Sequence, residues 1–338
     1  MPCLFFNVGM QTIQDLRALD DMVHHFRGNT FAESTKKTYQ TYLRTYIEFC
    51  TMFNIRLLPL SQENLGRYVH NVAFLDKRLQ FSSITNYLTI VKLLHSEGGF
   101  PDPISNHYIH SILKGAKRVL GNPIRRKLPI TPQILRGIFS TLNLGNSFDL
   151  CFWCTCLVAF FSFLRKSNLL SSSVTDFDPS RHLCRQDITF HKDGATICLR
   201  KTKTIQFNQR QLAIPLPRIP NSPLCPSSTL LMLSKLVQHQ PHPSPVFLYM
   251  RNNAVVPLTY PKFLHRLHQS LCALGIDSHN YSGHSFRRGG ASFALECGVP
   301  GELIQAQGDW KSDAYKAYLD PSLQYRKQVM QKFAQSLR

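Results

Sequence analysis

Acidic residues are scarce in this 338-residue chain: 20 Asp and Glu stand against 39 Lys and Arg, a formal charge of +19. An imbalance of that size favours a polyanionic partner, because each phosphate neutralised releases condensed counterions. Nucleic acid is expected, ahead of an anionic membrane surface. Long apolar runs are missing too. The one candidate, Cys151 to Leu164, falls short of the ~20 residues that cross a bilayer and is bracketed by Asp149 and Arg165. The opening Met1-Pro-Cys-Leu-Phe-Phe has neither the basic start nor the long apolar stretch of a secretory signal. A soluble protein with no membrane partner is expected. No Walker loop and no acidic metal cluster occur, so neither cofactor nor metal is expected. The ten cysteines show no framework spacing and read as reduced, mostly buried thiols. Cys151, Cys154 and Cys156 lack a second ligand pair and sit in an apolar run, which fits a core helix rather than zinc.

What is present reads as two domains of ordinary size. The first half is helical. Ser34 is the expected cap of a segment with Tyr39, Leu43, Tyr46, Ile47, Cys50 and Phe53 at helical spacing. Ser61 opens a second helix, Ser82 or Ser83 a third, and Ile104 to Val119 forms a fourth. Together they make a compact bundle over residues 30–120. Residues 1–29 form an N-terminal extension, with a further helix from about Gln11. Between Lys114 and Lys127 comes a charge run (Lys114, Lys117, Arg118, Arg125, Arg126 and Lys127) broken by Gly121-Asn-Pro123. Turn chemistry and charge density place a linker at 121–130, and the run fits both a solvated linker and a strip that follows phosphates.

The second half, 131–338, is mixed. Thr131-Pro132 starts a helix, and an apolar helix follows from about Phe148 to Leu170. Strands are expected over 182–190, 195–200 and 211–214, with Lys192-Asp-Gly194 as a hairpin turn. Helices return over 227–239, 260–274, 286–297, 301–307, 311–319 and 322–336. The fold class is mainly α with a small antiparallel β-sheet: a helical-bundle N-terminal domain followed by a mixed α/β domain.

Chemistry concentrates in six residues of this half. In Gly283-His284-Ser-Phe-Arg287, positions i and i+3 share a helix face, so an imidazole and a guanidinium fork can reach one anion. Arg165 is expected to end the greasy segment Phe160-Phe-Ser-Phe-Leu-Arg165, where it needs a counter-anion or a helix-end carbonyl. Lys203 sits where a strand gives way to a turn, in Leu199-Arg-Lys-Thr-Lys203-Thr. Trp310 offers a donor only, in Gln307-Gly-Asp-Trp310, and Tyr315 and Tyr318 follow in Asp313-Ala-Tyr-Lys-Ala-Tyr-Leu. Singly, each of these has an ordinary structural explanation: a helix-end charge, a solvated edge, core aromatics.

Their order is more specific. Arg, Lys, His-x-x-Arg, Trp or His, then Tyr resembles the tyrosine recombinase (phage-integrase) family over about residues 30–335. The wording Phe-Leu-Arg-Lys-Ser-Asn, Gly-His-Ser-Phe-Arg-Arg-Gly-Gly-Ala-Ser and Asp-Trp-Lys-Ser-Asp-Ala-Tyr is similar to its eukaryotic mobile-element branch, the Crypton and DIRS-like group. The resemblance implies an N-terminal domain that clamps double-stranded DNA and a catalytic domain that cleaves and rejoins it through a 3′-phosphotyrosyl link, without ATP, metal or a small-molecule substrate. By that resemblance Arg165, His284, Arg287 and Trp310 hold the phosphate, Lys203 protonates the leaving oxygen and Tyr318 attacks. It also implies a homotetramer on two duplexes, a nuclear location, and a C-terminal helix (Val329, Met330, Phe333, Leu337) that docks on a neighbour; packing on its own domain is the other reading. Two departures stand out. Asn168 replaces the acidic residue that many relatives carry, and Tyr318 follows Trp310 by eight positions rather than nine, which keeps Tyr315 as second choice. A retired DNA-binding derivative, a type IB topoisomerase and a non-enzymatic basic scaffold are the alternatives.

Overall fold

A computed structural model describes residues 16–75, 78–121, 126–205 and 210–336. The chain divides into two compact units, residues 1–124 and 125–338. Arg125, Cys3 and Leu337, and the helix start expected near Gln11, lie outside the described residues.

In the first unit, α1 is Leu16–Gly28, α2 Glu33–Met52, α3 Gln62–His70, α4 Phe81–Glu97 and α5 His107–Leu120. Burial of Tyr46, Phe49, Leu65, Tyr68, Ile84, Leu88, Val91 and Ile109 joins α2 to α5 into one core. Ser61 caps α3 by accepting from the Asn64 N–H, and Asn106 caps α5 by accepting from Ile109 N–H. The other expected caps shift. α2 begins at Glu33 after Ala32, and α4 at Phe81 after Gln80, neither with a side-chain cap. Burial also departs from the expected stripe: Ile47 and Phe53 are exposed, whereas Phe49 is in the core. α1 presents Leu16, Leu19, Met22, Val23 and Phe26 to solvent and is tied to α4 by an Arg27–Glu97 ion pair of 2.5 Å.

The second unit begins with α6 (Pro132–Ser140), capped by Thr131, and α7 (Ser147–Ser162). α7 is apolar all round and buried almost throughout, as a central core helix must be. Its cysteines Cys151, Cys154 and Cys156 are fully buried, and burial pushes all three thiols well above their ordinary range, which leaves them inert. α8 (Lys166–Leu169), β1 (Ile188–His191), β2 (Gly194–Leu199) and β3 (Leu212–Pro217) follow. The strands form an antiparallel sheet in the order β1-β2-β3, with Ile188 opposite Ile197 and Ile197 opposite Ile214. α9 (Pro226–Leu236) leads to a hairpin of β4 (Leu248–Arg251) and β5 (Ala254–Pro257). α10 (Tyr260–Ala273), α11 (Gly283–Glu296), α12 (Gly301–Gln307) and α13 (Leu323–Gln335) complete the unit. The fold class is mainly helical with small antiparallel sheets, as expected.

Three local expectations are corrected. The apolar helix does not run to Leu170. It stops at Phe163, whose φ of 51° is left-handed. The β4–β5 hairpin was not anticipated; its turn is Asn252-Asn253, both at positive φ, a conformation asparagine tolerates. Helix over 311–319 shrinks to one 3₁₀ segment, Asp313–Ala317. Among the described residues, no helix is long and apolar enough to cross a membrane, and no group of three His, Cys, Asp or Glu could hold a metal ion.

Candidate active site

The site grows from the start of α11. Ser282 accepts from the His284 N–H and its own N–H donates to the Ser285 hydroxyl, so the helix opens at a defined residue. His284 and Arg287 then share a face. Two glycines let α11 sit deep: a β-carbon on Gly290 would stand 2.0 Å from the Phe160 carbonyl oxygen of α7, and one on Gly289 1.8 Å from the Ile130 carbonyl oxygen. That close approach carries Arg287 into the protein, where it is 0% exposed.

Arg287 is the centre. Its Nη1 donates to the Phe163 carbonyl, the left-handed end of α7, and to the Gly308 carbonyl at 2.8 Å. The guanidinium carbon lies 3.6 Å from the Trp310 ring centroid and 5.1 Å from that of Tyr318. Stacking on a desolvated indole contributes on the order of 2 kcal/mol. Nε and Nη2 make no hydrogen bond of good geometry among the described residues, although the Tyr318 phenol and, more weakly, the Asp309 carboxylate are near enough to favour the charged form. Burial first, then the charge of Arg165, holds Arg287 below its ordinary pKa; a guanidinium so shifted still stays charged at neutral pH.

Arg165 does not end a helix. It stands in extended conformation ahead of α8, half-buried, with no carboxylate in ion-pair reach among the described residues. Releasing it from α7 turns it toward Arg287, and the mutual repulsion of the two guanidiniums is felt by Arg287. His284 is open to solvent by area but closely surrounded. Desolvation, then Lys166, Arg287 and Arg165, lower its pKa. Trp310 is 5% exposed and its Nε1–H is another buried donor without a partner. Two guanidiniums, an imidazole and an indole N–H thus come together, and among the described residues no carboxylate forms an ion pair with either guanidinium. Asp309 favours the charged form of Arg287 from a distance but is itself paired with Arg210. Buried donors of this kind are costly unless an anion completes them.

The two tyrosines separate cleanly. Tyr318 caps the 3₁₀ segment, half-buried, its ring edge-on to Trp310 at 5.3 Å. Its backbone is braced: Arg288 Nε reaches the Tyr318 carbonyl at 3.5 Å and pairs with Asp320 at 2.9 Å, while Arg126 donates to the Ala317 carbonyl at 2.9 Å. Tyr315 also packs on Trp310, ring centroids 6.3 Å apart, but turns its hydroxyl against Gly301, 2.5 Å from where a β-carbon would stand. Of the two, only Tyr318 sets its ring against the Arg287 guanidinium among the described residues. Lys203 lies in the exposed bend between β2 and β3. Asn168, buried, does not meet the Arg165 guanidinium; its amide donates to the Lys201 carbonyl at 3.2 Å and so ties α8 to that bend. Of the basic run, Lys114, Lys117 and Arg118 are exposed on α5, Arg126 is engaged as above, and Lys127 donates to the His279 carbonyl.

Sequence reasoning missed Gly308 and Asp309. A β-carbon on Gly308 would lie 1.8 Å from Trp310 Cζ3, so only glycine admits the indole here. Asp309, 2% exposed and at φ 53°, accepts from the hydroxyls of Thr202 and Thr204 and pairs with Arg210 at 2.7 Å. The available signal was slight: an acid set between a glycine and a tryptophan.

No protein-family model matches the chain. By sequence it is similar to the integrase/recombinase xerD homolog of Selenomonas ruminantium, 24% identical over 299 residues, or 83% of this chain and 80% of that protein. By structure it is similar to the Tn1549 transposon integrase in complex with transposon right-end DNA, at 13% identity and a TM-score of 0.62 over 93% of this chain and 98% of that one. The XerH site-specific recombinase bound to a palindromic difH substrate matches at 17% identity and a TM-score of 0.61, over 88% and 78% of the two chains. A lambda integrase dimer bound to a core site matches at 15% identity and a TM-score of 0.58, over 90% and 95%. The fold is that of these integrases and recombinases.

Proposed function

We propose that this chain is a site-specific DNA recombinase that cleaves and rejoins DNA through Tyr318, from the eukaryotic mobile-element branch of its class. The observation that carries the reading is Arg287: buried, stacked on Trp310 beside the Tyr318 ring, with Nε and Nη2 lacking a well-formed hydrogen bond and no carboxylate paired with it among the described residues. A scissile phosphate supplies the missing acceptor.

Arg165, Arg287, His284 and Trp310 hold the non-bridging oxygens. The Tyr318 hydroxyl passes its proton to solvent water as its oxygen attacks phosphorus in line, the phosphorus–O5′ bond breaks, and Lys203 gives the leaving oxygen a proton. One phosphate diester is exchanged for another, so no ATP is consumed. Reversal by the 5′-hydroxyl of a second strand rejoins the DNA. Negative charge grows on the non-bridging oxygens in the transition state, which is where fixed guanidiniums act most strongly. Removing either arginine is expected to slow cleavage by on the order of 10²-fold or more.

The working assembly is a homotetramer on two duplexes, and integration or excision of a mobile element in the nucleus is its setting. α13 supports the assembly: it buries none of its residues on its own unit, and Leu323, Val329, Met330 and Phe333 are exposed. The test uses duplexes with randomised cores, nicked so that the 5′-hydroxyl fragment diffuses away after cleavage. Wild-type protein is expected to form adducts that survive detergent, as is Tyr315→Phe, whereas Tyr318→Phe forms none. Adducts lost only in Tyr315→Phe overturn the choice of nucleophile. Sequence-selective binding with no adduct at all establishes the retired DNA-binding protein instead.

A further inference from the structure

Three consecutive residues serve the site in different directions. The Gly308 carbonyl holds Arg287, Trp310 covers it, and between them the Asp309 side chain turns the other way, into the bend that joins β2 to β3. That carboxylate is 1% exposed. It accepts from Thr202 Oγ1 and Thr204 Oγ1, the residues on either side of Lys203, and from the Arg210 guanidinium at 2.7 Å, on the returning arm. The Thr204 hydroxyl also lies 3.4 Å from the Asp309 carbonyl. Thr202 is itself buried, its N–H donates to the Ile205 carbonyl at 3.1 Å, and its Oγ1 accepts from Ile205 N–H at 3.1 Å. Residues 202–205 are therefore closed on themselves and, together with Arg210, fastened through one carboxylate to the backbone that carries Trp310.

A buried carboxylate is retained only where donors surround it, and here all three donors belong to the bend. Asp309 also holds a left-handed φ that most residues avoid. From these observations we infer that Asp309 is a positioning residue for Lys203: it fixes the bend against Trp310, so that one ammonium stands at a set place beside the phosphate-binding donors. The inference rests on the reading of Lys203 as the group that protonates the leaving oxygen. Asp309 touches no reacting atom; it acts through Thr202, Thr204 and Arg210.

Two measurements test it. The first needs no DNA. Amide hydrogen exchange of the free full-length protein is compared for wild type, Asp309→Asn and Thr204→Val, which removes one donor to Asp309 and leaves the Thr202 hydroxyl that accepts from Ile205 N–H in place. Exchange is expected to quicken at least tenfold over the described residues 200–205 and 210–212, with α7 and α11 unchanged. Unchanged exchange in the bend overturns the latch. If Asp309→Asn does not fold, Thr204→Val decides alone.

The second uses a duplex of the sequence recovered by trapping, made with either oxygen or sulfur at the bridging 5′ position of the cleaved phosphate. A thiolate leaves without a proton, so loss of an acid is repaired by sulfur, whereas general damage to the site is not. Asp309→Asn is expected to slow cleavage of the oxygen duplex by at least tenfold and of the sulfur duplex by less than threefold. Lys203→Ala is expected to behave likewise, and Asp309→Asn combined with Lys203→Ala to be no slower than Lys203→Ala alone. Equal slowing of both duplexes by Asp309→Asn, with Lys203→Ala still repaired by sulfur, overturns the positioning role alone. Failure of sulfur to repair Lys203→Ala overturns the reading of Lys203, and the exchange data then still decide whether Asp309 fastens the bend.

Discussion

His284 is the one residue of the site whose charge ordinarily changes near neutral pH. Burial, then Lys166, Arg287 and Arg165, hold its pKa below the ordinary value, so at pH 7 the ring is neutral in the free protein. A phosphate placed among these cations reverses the balance by favouring the imidazolium. Binding of DNA should therefore take up a proton. Affinity is expected to rise as pH falls from about 7 toward 6, near the ordinary histidine pKa of about 6.5, and the part of that slope lost in His284→Gln measures the contribution of this residue. Titration of both proteins against one duplex at fixed salt checks it. Stability moves oppositely. With the folded pKa below the unfolded one, the unfolded chain binds the extra proton first, so the contribution of His284 is present above about pH 6.5 and is lost as pH falls through the folded pKa.

At this scale the six residues were legible because their types and order are distinctive, yet their surroundings were not. Nothing near Asp309 in the chain reveals that its donors lie at Thr202, Thr204 and Arg210. Nor does the text around Asn168 show that its amide is taken by the Lys201 carbonyl. Such partners are set by the return of the chain through space, and local pattern carries no trace of them.

The element scale shows the same division. Periodicity revealed the helices, because a buried face repeats every 3.6 residues whatever it packs against. It could not show where α7 ends. The helix stops at left-handed Phe163, whose carbonyl is taken by Arg287, 124 positions away, a partner that local pattern does not reveal. Gly290 permits that meeting. Gly290→Ala would force its β-carbon onto the Phe160 carbonyl, which is backbone and cannot swing aside. The variant is expected to lose roughly 2–4 kcal/mol of stability, at the upper end of overpacking effects. Any folded fraction should have Arg287 displaced and cleavage reduced by on the order of 10²-fold. Denaturant unfolding and the trapping assay measure the two. By contrast Gly28→Ala, where no atom lies within 4 Å, should be neutral or slightly stabilising.

For the whole molecule the governing quantity is charge. At +19 the chain should bind duplex DNA with a steep salt dependence. Each phosphate contact contributes about 0.9 to the slope of log K against log salt. Lys114→Ala, Lys117→Ala and Arg118→Ala, on the exposed face of α5, are each expected to lower that slope by about one without changing which sequences are preferred. Assembly rests on different chemistry. Because α13 buries nothing on its own unit, Met330→Asp with Phe333→Asp should leave monomer stability and single-site binding within about 0.5 kcal/mol and abolish higher complexes in sedimentation of the protein on paired sites. Retention of those complexes would place the assembly contacts elsewhere.

The central claim, that Tyr318 carries the DNA, has a direct measurement. Lys316 separates the two candidate tyrosines, so trypsin cuts between them: Tyr315 leaves on Ser312–Lys316 and Tyr318 on Ala317–Arg326. Wild-type adduct trapped on a nicked duplex would be digested with nuclease and trypsin, and the peptides examined by fragmentation mass spectrometry for a residual nucleotide. A 3′-phosphonucleotide on Tyr318 is the expected result. The same mass on Tyr315, or on Tyr325 within the second peptide, would contradict it.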